Sequence, residues 1–449
     1  MEELYPVYGT AAVIVLYFLF QVVSGRFDPF APTWLFFVGY VHVYVIQALT
    51  YHDWAIGARG KELVGAANLR ALWALIWFLA VYHLPIGRLI AGRLPAPPLS
   101  LSPKLVGTIT PPLVLWGLFC AGLVARSGNA ETISAEASLF SAFPFVMMVA
   151  AVLLIVTGRT IRSPQPAFVP AGLLVAFAYV MIWMFNGKRS HSLIGVLATV
   201  CALYVARLKR PSWPVLFATG FIGSLVVAIS IGWRNNPNYE HSFSGFAQFL
   251  GDFKVEKILV SLNIANDGEG AEYVTYESME YGGFLLILDT VPEKSGFDYG
   301  ENYKRIFSTF IPRIIWPTKP YYGRAQWVSA WMAGSEMERD EDFTGPAIGI
   351  LGATQLNGGL IGTVIVLACV ATLLSTAYAY FRFYADSAWV QFWWAITFYN
   401  AWFMVVNDDP LVWFYYNWGF TTFPLIVLMW WANRGGARSL QGVASPVFG

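Results

Sequence analysis

The stretch GGLIGTVIVLACVATLLSTAYAY, residues 358–380, decides the fold class of this 449-residue chain. It contains 23 residues and no charged side chain. A helix rises about 1.5 Å per residue, so the run is long enough to cross a hydrocarbon core of about 30 Å. Backbone amides and carbonyls find no water there, and a helix satisfies them within the segment itself. The stretch therefore predicts a membrane-spanning helix.

Comparable apolar runs occur on both sides of this one. The predicted spans are residues 7–24, 31–51, 69–90, 105–125, 138–157, 167–186, 190–207, 213–232, 358–380, 388–406 and 411–431. The composition agrees, because 57% of the residues are hydrophobic and 12% are charged, whereas soluble domains carry about 25% charged residues. This excludes a water-soluble enzyme and a disordered chain, and the sequence lacks the alternating strands of a β-barrel. We predict an all-α polytopic transmembrane bundle of about eleven spans, between ten and twelve.

Residues 233–345 interrupt this pattern. They contain 27 charged residues in 113 positions, against 28 in the other 336. A loop of this length is usually functional, and its charges alternate with Tyr, Trp and Phe as in a folded subdomain. We therefore predict N-terminal membrane helices in 1–232, a large external loop subdomain of short helices in 233–345, and C-terminal membrane helices in 346–449.

Basic residues in short loops predict the orientation, because Lys and Arg favour the cytoplasmic side. The basic C-terminal tail and the RLKR cluster at 207–210 place the C-terminus inside and the long loop outside. Arg59, Lys61 and Arg70 disagree, since the same orientation places them outside. The first span lacks the basic start and cleavage site of a signal peptide, so we expect it to be retained. The topology of the N-terminal part stays open.

Basic residues lie beside aromatic ones in three segments on the predicted outer side, residues 186–193, 232–245 and 299–324. The planar guanidinium of arginine holds phosphate through two parallel hydrogen bonds and stays charged when partly desolvated. Such cations would bind a lipid-linked diphosphate and stabilise its negative charge as it leaves. The alternative is that these cations form solvated ion pairs with the acids of the loop, which contribute little stability.

Tyrosine and tryptophan are dense in the same loop, and each offers an apolar face with one hydrogen-bonding edge. This pattern suits sugar rings; the alternative is an aromatic belt at the membrane–water interface. The segment 281–292 is apolar but too short to span, which predicts a re-entrant or interfacial helix. Nucleotide-binding and protease motifs are absent from the sequence. No Cys, His or acidic spacing indicates a metal site, and a net charge of +1 gives no sign of nucleic-acid binding.

Three segments carry a resemblance to a known family. TFIPRIIWPTKP (309–320) matches a Pro-Arg-x-x-Trp-Pro-x-Lys-Pro pattern, FNGKRSHSL (185–193) opens a predicted helix, and FTGPAIGILGATQLNGGLIGTVI (343–365) is a small-residue, Asn-Gly-rich segment after the loop. With these segments the chain resembles the O-antigen polymerase family (Wzy type, oligosaccharide repeat unit polymerases). Members often carry an acidic residue near the Asn-Gly pair, where this chain has Gln355, so the general base is left open.

The resemblance implies a metal-independent membrane glycosyltransferase of the GT-C-like class that needs no cofactor. It would polymerise polyprenyl-diphosphate-linked oligosaccharide repeat units on the outer face of the bacterial inner membrane, with the large loop in the periplasm. Its partners would be the lipid-linked donor and acceptor, membrane lipid and a chain-length regulator protein. Two alternatives stay open: an O-antigen ligase-like transferase, and a transporter or flippase of lipid-linked saccharides. Transporters tend to have internal repeats and broken helices, and the sequence has no matching halves.

The resemblance implies that the active site is formed by the large loop and the residues that flank it. The expected diphosphate-binding residues are Arg189, Arg234, Arg313, Lys319 and Arg324. The expected sugar-binding residues are Tyr281, Tyr303, Trp316, Tyr321 and Tyr322. The candidates for the general base are His241 and Asp289, because both lie where apolar and polar residues mix and base catalysis needs a group tuned towards neutral pH.

Overall fold

The computed structural model describes residues 2–126, 144–161, 164–234, 236, 238–254, 280–304, 316, 347–406, 422 and 427. Throughout these ranges the chain forms helices, turns and short connections, and no β-strand occurs in them. The prediction of an all-α chain is therefore confirmed for the part that the structure describes.

Fifteen α-helices are described below by one set of labels. In chain order they are α1 (Tyr5–Val23), α2 (Pro32–Val41), α3 (His52–Arg59), α4 (Lys61–Tyr82), α5 (Ile86–Arg93), α6 (Pro103–Arg126), α7 (Phe145–Arg159), α8 (Phe168–Phe185), α9 (Arg189–Val205), α10 (Trp213–Arg234), α11 (Phe243–Asp252), α12 (Glu280–Thr290), α13 (Gly349–Phe383), α14 (Ala388–Ala395) and α15 (Asn400–Val406). A π-helical turn, His42–Gln47, continues α2 into the short helix Ala48–Thr50, and a 3-10 turn covers Glu301–Lys304.

Seven helices among the described residues are long and apolar enough to cross a membrane, consistent with a membrane protein. They are Glu2–Val23, Pro32–Thr50, Lys61–Tyr82, Pro103–Leu123, Phe168–Phe185, Trp213–Arg234 and Gly349–Phe383. The larger predicted number is not reached in this part of the chain. Helices α7 and α9 are apolar but shorter, the predicted span 388–406 is divided into α14 and α15 by a turn, and 411–431 lies almost wholly outside the described residues.

The chain forms two compact units that differ from the three predicted parts. Unit 1 comprises Met1–Leu94, Gly268–Tyr380 and Asn400–Pro424. Unit 2 comprises Pro95–Asp267, Phe381–Tyr399 and Leu425–Gly449. Each unit therefore combines segments from both sides of the predicted boundaries at 232 and 345.

The core of unit 1 is built from α2, α4, α12, α13 and α15. Phe36 of α2 stacks on Phe78 of α4 with ring centroids 3.8 Å apart. Gly39 lets α2 approach α15 closely, because a Cβ there would lie 2.9 Å from Trp402 Cδ1 and 3.1 Å from its backbone oxygen. Small residues at such crossings allow the close backbone packing on which membrane helices depend.

The core of unit 2 centres on α7, whose residues from Met147 to Gly158 are almost all buried. Gly172 brings α8 against α7, since a Cβ there would lie 2.9 Å from the Ala151 backbone oxygen. At one end of the unit, Trp233 of α10 packs against Phe246 of α11 at 5.0 Å between ring centroids. Helix α11 therefore closes the end of unit 2 at which α10 finishes.

Candidate functional site

Helix α13 of unit 1 is broken at two glycines. Gly358 has φ 162° and ψ 33°, and Gly359 has φ 62° and ψ −133°. Two helical segments, 349–357 and 360–383, therefore meet at a kink. Gly359 is needed there because its φ lies in the left-handed region that side chains other than hydrogen disfavour. A Cβ at this position would also lie 3.2 Å from Phe297 Cζ.

Arg70 lies beside this break and is 6% exposed. Its Nη1 donates to Gln355 Oε1, just before the break, and its Nη2 donates to Thr363 Oγ1 at 3.0 Å, just after it. Its Nε is buried with no acceptor among the described residues. The sequence predicts Arg70 at the start of a membrane span and on its outer side; the structure places it within α4, and the side of the membrane stays a prediction.

The loop segment 280–304 is hydrogen-bonded to the same break. Gln355 Nε2 donates to the Val291 carbonyl at 2.7 Å, and the Asp298 amide donates to the Leu356 carbonyl at 2.8 Å. Asn357 Nδ2 donates to the Tyr303 hydroxyl at 3.3 Å, which brings the Asn-Gly pair to a predicted sugar-binding residue. Asn357 Oδ1 is buried and meets no donor in the part of the chain that the structure describes.

Asp289, a predicted base, lies near the end of α12 and forms an ion pair. Its Oδ2 is 3.0 Å from Arg59 Nη1 and 3.8 Å from Lys294 Nζ. About a third of the carboxylate side chain is exposed, 34%. The pair joins α3 to α12, so Arg59, one of the basic residues that disagree with the predicted orientation, contacts the loop segment.

Tyr281 is a core residue of unit 1 rather than part of a sugar-binding surface. It is 1% exposed, its hydroxyl donates to Asn68 Oδ1 at 2.7 Å, and its amide donates to Gln47 Oε1 at 3.0 Å. Burial raises the pKa of its hydroxyl. The prediction that Tyr281 contacts sugar is corrected by this placement, because both its ring and its hydroxyl are already engaged inside the protein.

A buried carboxyl, which the sequence analysis did not single out, precedes Tyr281. Glu280 is 4% exposed, and Gln47 Nε2 donates to its Oε2 at 2.5 Å. Gln47 ends the π-helical turn that begins at His42, and π-helical turns are frequent at functional positions. Among the described residues no cation pairs with Glu280, so the amide of Gln47 is its main polar partner.

Two of the predicted diphosphate-binding residues, Arg189 and Arg234, belong to unit 2. Arg189 is partly buried and begins α9, and Arg234 is exposed and ends α10. The turn before α9 packs against Arg234, since a Cβ on Gly187 would lie 2.8 Å from Arg234 Cβ. Gly187 has φ +65°. The structure therefore brings the segments of these two arginines together at one end of unit 2.

His241, the second predicted base, lies at the same end of unit 2 and is exposed. Its ring lies 4.9 Å from that of Trp233. Nearby, the hydrogen bond that the Tyr239 hydroxyl donates to Asp252 Oδ2 at 3.0 Å raises the pKa of that hydroxyl. The two candidate bases thus belong to different units, His241 to unit 2 and Asp289 to unit 1.

The remaining predicted residues fall mostly outside the described residues. These are Arg313, Lys319, Arg324, Tyr321 and Tyr322. Trp316 is described and is 37% exposed. Most of the segment 309–320 that carries the resemblance lies outside the described ranges as well. The roles assigned to these residues stay predictions.

Arg70, Thr363 and Glu280 are polar residues of the broken-helix region that sequence reasoning missed. A signal for Arg70 existed, because an ionisable residue inside a membrane segment is functional by default. The predicted span 69–90 put Arg70 at its very start, next to the membrane surface, whereas α4 begins at Lys61 and Arg70 lies well inside it. Comparison of the chain with protein-family models, with curated proteins and with solved structures found no match.

Proposed function

We propose that this protein is a membrane glycosyltransferase that joins polyprenyl-diphosphate-linked oligosaccharide repeat units into a polysaccharide at the outer face of the bacterial inner membrane. One observation carries the proposal. The loop segment with the predicted base Asp289 and the predicted sugar-binding Tyr303 is hydrogen-bonded to the Asn-Gly segment at the break of α13. The Asn-Gly segment is one of the three that carry the family resemblance, and the loop segment contains residues of the expected site.

The proposed reaction moves a glycosyl group between two lipid-linked saccharides. The bond between the anomeric carbon of the growing chain and its lipid diphosphate breaks, and the diphosphate leaves with the electron pair. A hydroxyl oxygen of the incoming repeat unit forms the new glycosidic bond, and its proton passes to a base. Cations near the leaving group lower the barrier because they stabilise charge that develops only as the bond breaks.

Tyr303 and Asn357 are suited to hold a sugar in this reaction. The Tyr303 ring offers an apolar face, and its hydroxyl is already oriented by Asn357 Nδ2. Asn357 Oδ1, which meets no donor among the described residues, is an acceptor that a saccharide hydroxyl would satisfy. We propose that this pair binds the acceptor repeat unit, with Asp289 as the candidate base in the same unit.

The experiment is incubation of the purified full-length protein in detergent with a polyprenyl-diphosphate oligosaccharide, followed by separation of the products. A ladder spaced by one repeat unit is expected. Tyr303→Phe should shorten the ladder, whereas Tyr299→Phe, a matched control on an exposed tyrosine of the same segment, should leave it unchanged. Absence of any extended product with the wild-type protein would overturn the proposal.

A second candidate function is transport of a lipid-linked saccharide, and the break in α13 favours it. Discontinuous helices line the substrate sites of many secondary transporters, and Gly358–Gly359 divides α13 in this way. Reconstitution in vesicles separates the two functions. Movement of the lipid-linked oligosaccharide across the bilayer without extension would support the transporter, and extension in detergent would support the polymerase.

A further inference from the structure

The guanidinium of Arg70 is a buried charge without a counter-charge in the described part of the chain. Its two hydrogen-bond partners, Gln355 and Thr363, are both neutral. Its Nε–H is buried and unpaired, and no ion pair forms at Arg70 among the described residues. Burying an unpaired charge is costly, and an anion bound beside Arg70 would offset that cost.

The position of Arg70 adds a second reason to expect an anion. Thr363 lies in the first turn of the helical segment 360–383, which begins directly after the left-handed Gly359. The start of a helix carries a partial positive charge and free backbone donors. The charge of the guanidinium and the partial positive charge of this helix start therefore lie at one place. They repel each other when no anion is bound, and together they attract an anion.

No acidic side chain of the described residues forms an ion pair with Arg70, and this includes the buried Asp298, whose amide donates to the Leu356 carbonyl beside the break. Glu280 on α12 is held by Gln47, and Asp289 is paired with Arg59. Beside the break, Leu360 and Ile361 are strongly exposed, so the first turn of the second segment reaches the surface of the described structure. An anion carried on a lipid would arrive from this side.

We infer that Arg70 and the start of the 360–383 segment bind a phosphate group of a polyprenyl-linked diphosphate. The inference rests on the proposed function for the identity of the lipid, and it deepens that function by naming a residue for the leaving group. The Nη1–H and Nη2–H groups of the planar guanidinium donate to protein atoms. The Nε–H group is left to donate to the phosphate.

The test measures binding rather than turnover. Purified full-length protein in detergent is titrated with a polyprenyl diphosphate that carries no sugar, with the matching polyprenol, and with inorganic diphosphate. The variants are Arg70→Gln and Arg70→Lys, and the matched control is Arg88→Gln, which removes an exposed arginine from α5 of the same unit. We expect Arg70→Gln to weaken polyprenyl diphosphate binding by about 10- to 100-fold, the range for a lost hydrogen bond to a charged group.

Arg70→Lys should recover part of that affinity, because it restores the charge without the planar fork. Polyprenol should bind equally to all variants. Binding of inorganic diphosphate that depends on Arg70 would show that the phosphate alone is recognised. Dependence on Arg70 for polyprenyl diphosphate only would show that the lipid is required. Either result supports the site. Wild-type affinity in Arg70→Gln, or equal loss in Arg88→Gln, would overturn it.

The site and the proposed function fail in different ways. Binding that depends on Arg70 without any product ladder would leave the anion site in place and remove the polymerase. A normal product ladder with Arg70→Gln would remove the anion site and leave the proposed polymerase in place. Should Arg70→Gln fail to fold, Arg70→Lys carries the same comparison, with a smaller loss expected.

Discussion

Arg70 in unit 1 and Arg234 in unit 2 are the same residue type in opposite surroundings. Arg70 is buried inside α4 with neutral partners, whereas Arg234 is exposed at the end of α10 and packs its stem on the turn at Gly187. Water stabilises a charge at the surface at little cost, so an exposed arginine says little about function. A buried one is retained against a large desolvation penalty. The buried residue is therefore the stronger guide to a site.

The largest effect we expect separates these two arginines in the product-ladder assay. Arg70→Met should abolish the ladder, because the leaving diphosphate loses a charge that acts in a desolvated place. Arg234→Met should lower ladder formation by about tenfold or less, since water and salt screen an exposed cation.

Thermal unfolding of the ligand-free proteins is the control for that comparison. Arg70→Met removes the cost of burying an unpaired charge but leaves Gln355 Oε1 without its donor, so the two effects oppose each other and the melting temperature should change little. A strongly lowered melting temperature would make Arg70 a structural residue instead. Loss of the ladder in Arg234→Met but not in Arg70→Met would reverse the ranking of the two units.

A second comparison concerns one hydrogen-bonded carboxyl in each unit. Gln47→Leu leaves the buried Glu280 without its amide donor, and we expect a loss of about 1–3 kcal/mol in the free energy of unfolding. The double variant Gln47→Leu with Glu280→Leu should recover only part of that loss, because the Tyr281 amide still lacks the acceptor that Gln47 Oε1 provides. Tyr239→Phe removes the exposed bond to Asp252 and should lower the denaturant midpoint far less than Gln47→Leu does.

The pH dependence of Tyr239 gives an independent reading of that exposed bond. Its hydrogen bond to Asp252 favours the neutral hydroxyl and raises its pKa. A group with a raised folded-state pKa contributes stability below its unfolded pKa, near 10, and loses it as the pH rises through the folded value. The tyrosine absorbance titration of Asp252→Asn should therefore move towards lower pH than that of wild type.

Two glycines with positive φ provide a third comparison, one from each region. Gly359 forms the break in α13 and Gly187 forms the turn before α9. Alanine at either position should cost about 1–2 kcal/mol of folding free energy because the left-handed conformation is disfavoured with a Cβ. Gly187→Ala should be the worse of the two, since its Cβ would lie 2.8 Å from Arg234 Cβ, against 3.2 Å from Phe297 Cζ for Gly359→Ala. Equal melting curves for both variants and wild type would contradict this.

The sequence predicts features of the fold that leave a local pattern, such as hydrophobic runs, and does not predict features that depend on contacts between distant residues. Hydrophobic runs predicted the all-α class, and the ends of several helices, such as Phe168–Phe185, agree with the predicted spans. Periodicity could not reveal the break in α13, because Gly358 and Gly359 are common residues in membrane helices and the backbone angles follow from tertiary contacts. The contact between Asn357 and Tyr303 joins residues 54 positions apart, which no local pattern encodes.

Some residues of the candidate site could be predicted from the sequence and others could not, and the difference has a physical reason. Tyr303 was predicted because tyrosines are dense in the charged loop, and Asp289 because it is an ionisable residue in a mixed apolar and polar segment; both roles stay predictions. Arg70 and Glu280 are conspicuous only once their burial is known, since burial is what makes their charge costly. Tyr281 was assigned to sugar binding from composition alone, and only the packed core distinguishes it from Tyr303.

The smallest expected effect concerns the ion pair between Arg59 and Asp289, which lies between the two extremes of burial. Each side chain is about a third exposed, 28% and 34%, so a double-mutant cycle with Arg59→Gln and Asp289→Asn should give a coupling free energy below about 1 kcal/mol, decreasing with added salt. If Asp289 is the base, Asp289→Asn should nevertheless stop the ladder while Arg59→Gln only slows it, because one removes the proton acceptor and the other only its partner. Equal, small losses of activity in both variants would assign the pair a structural role and leave His241 as the candidate base.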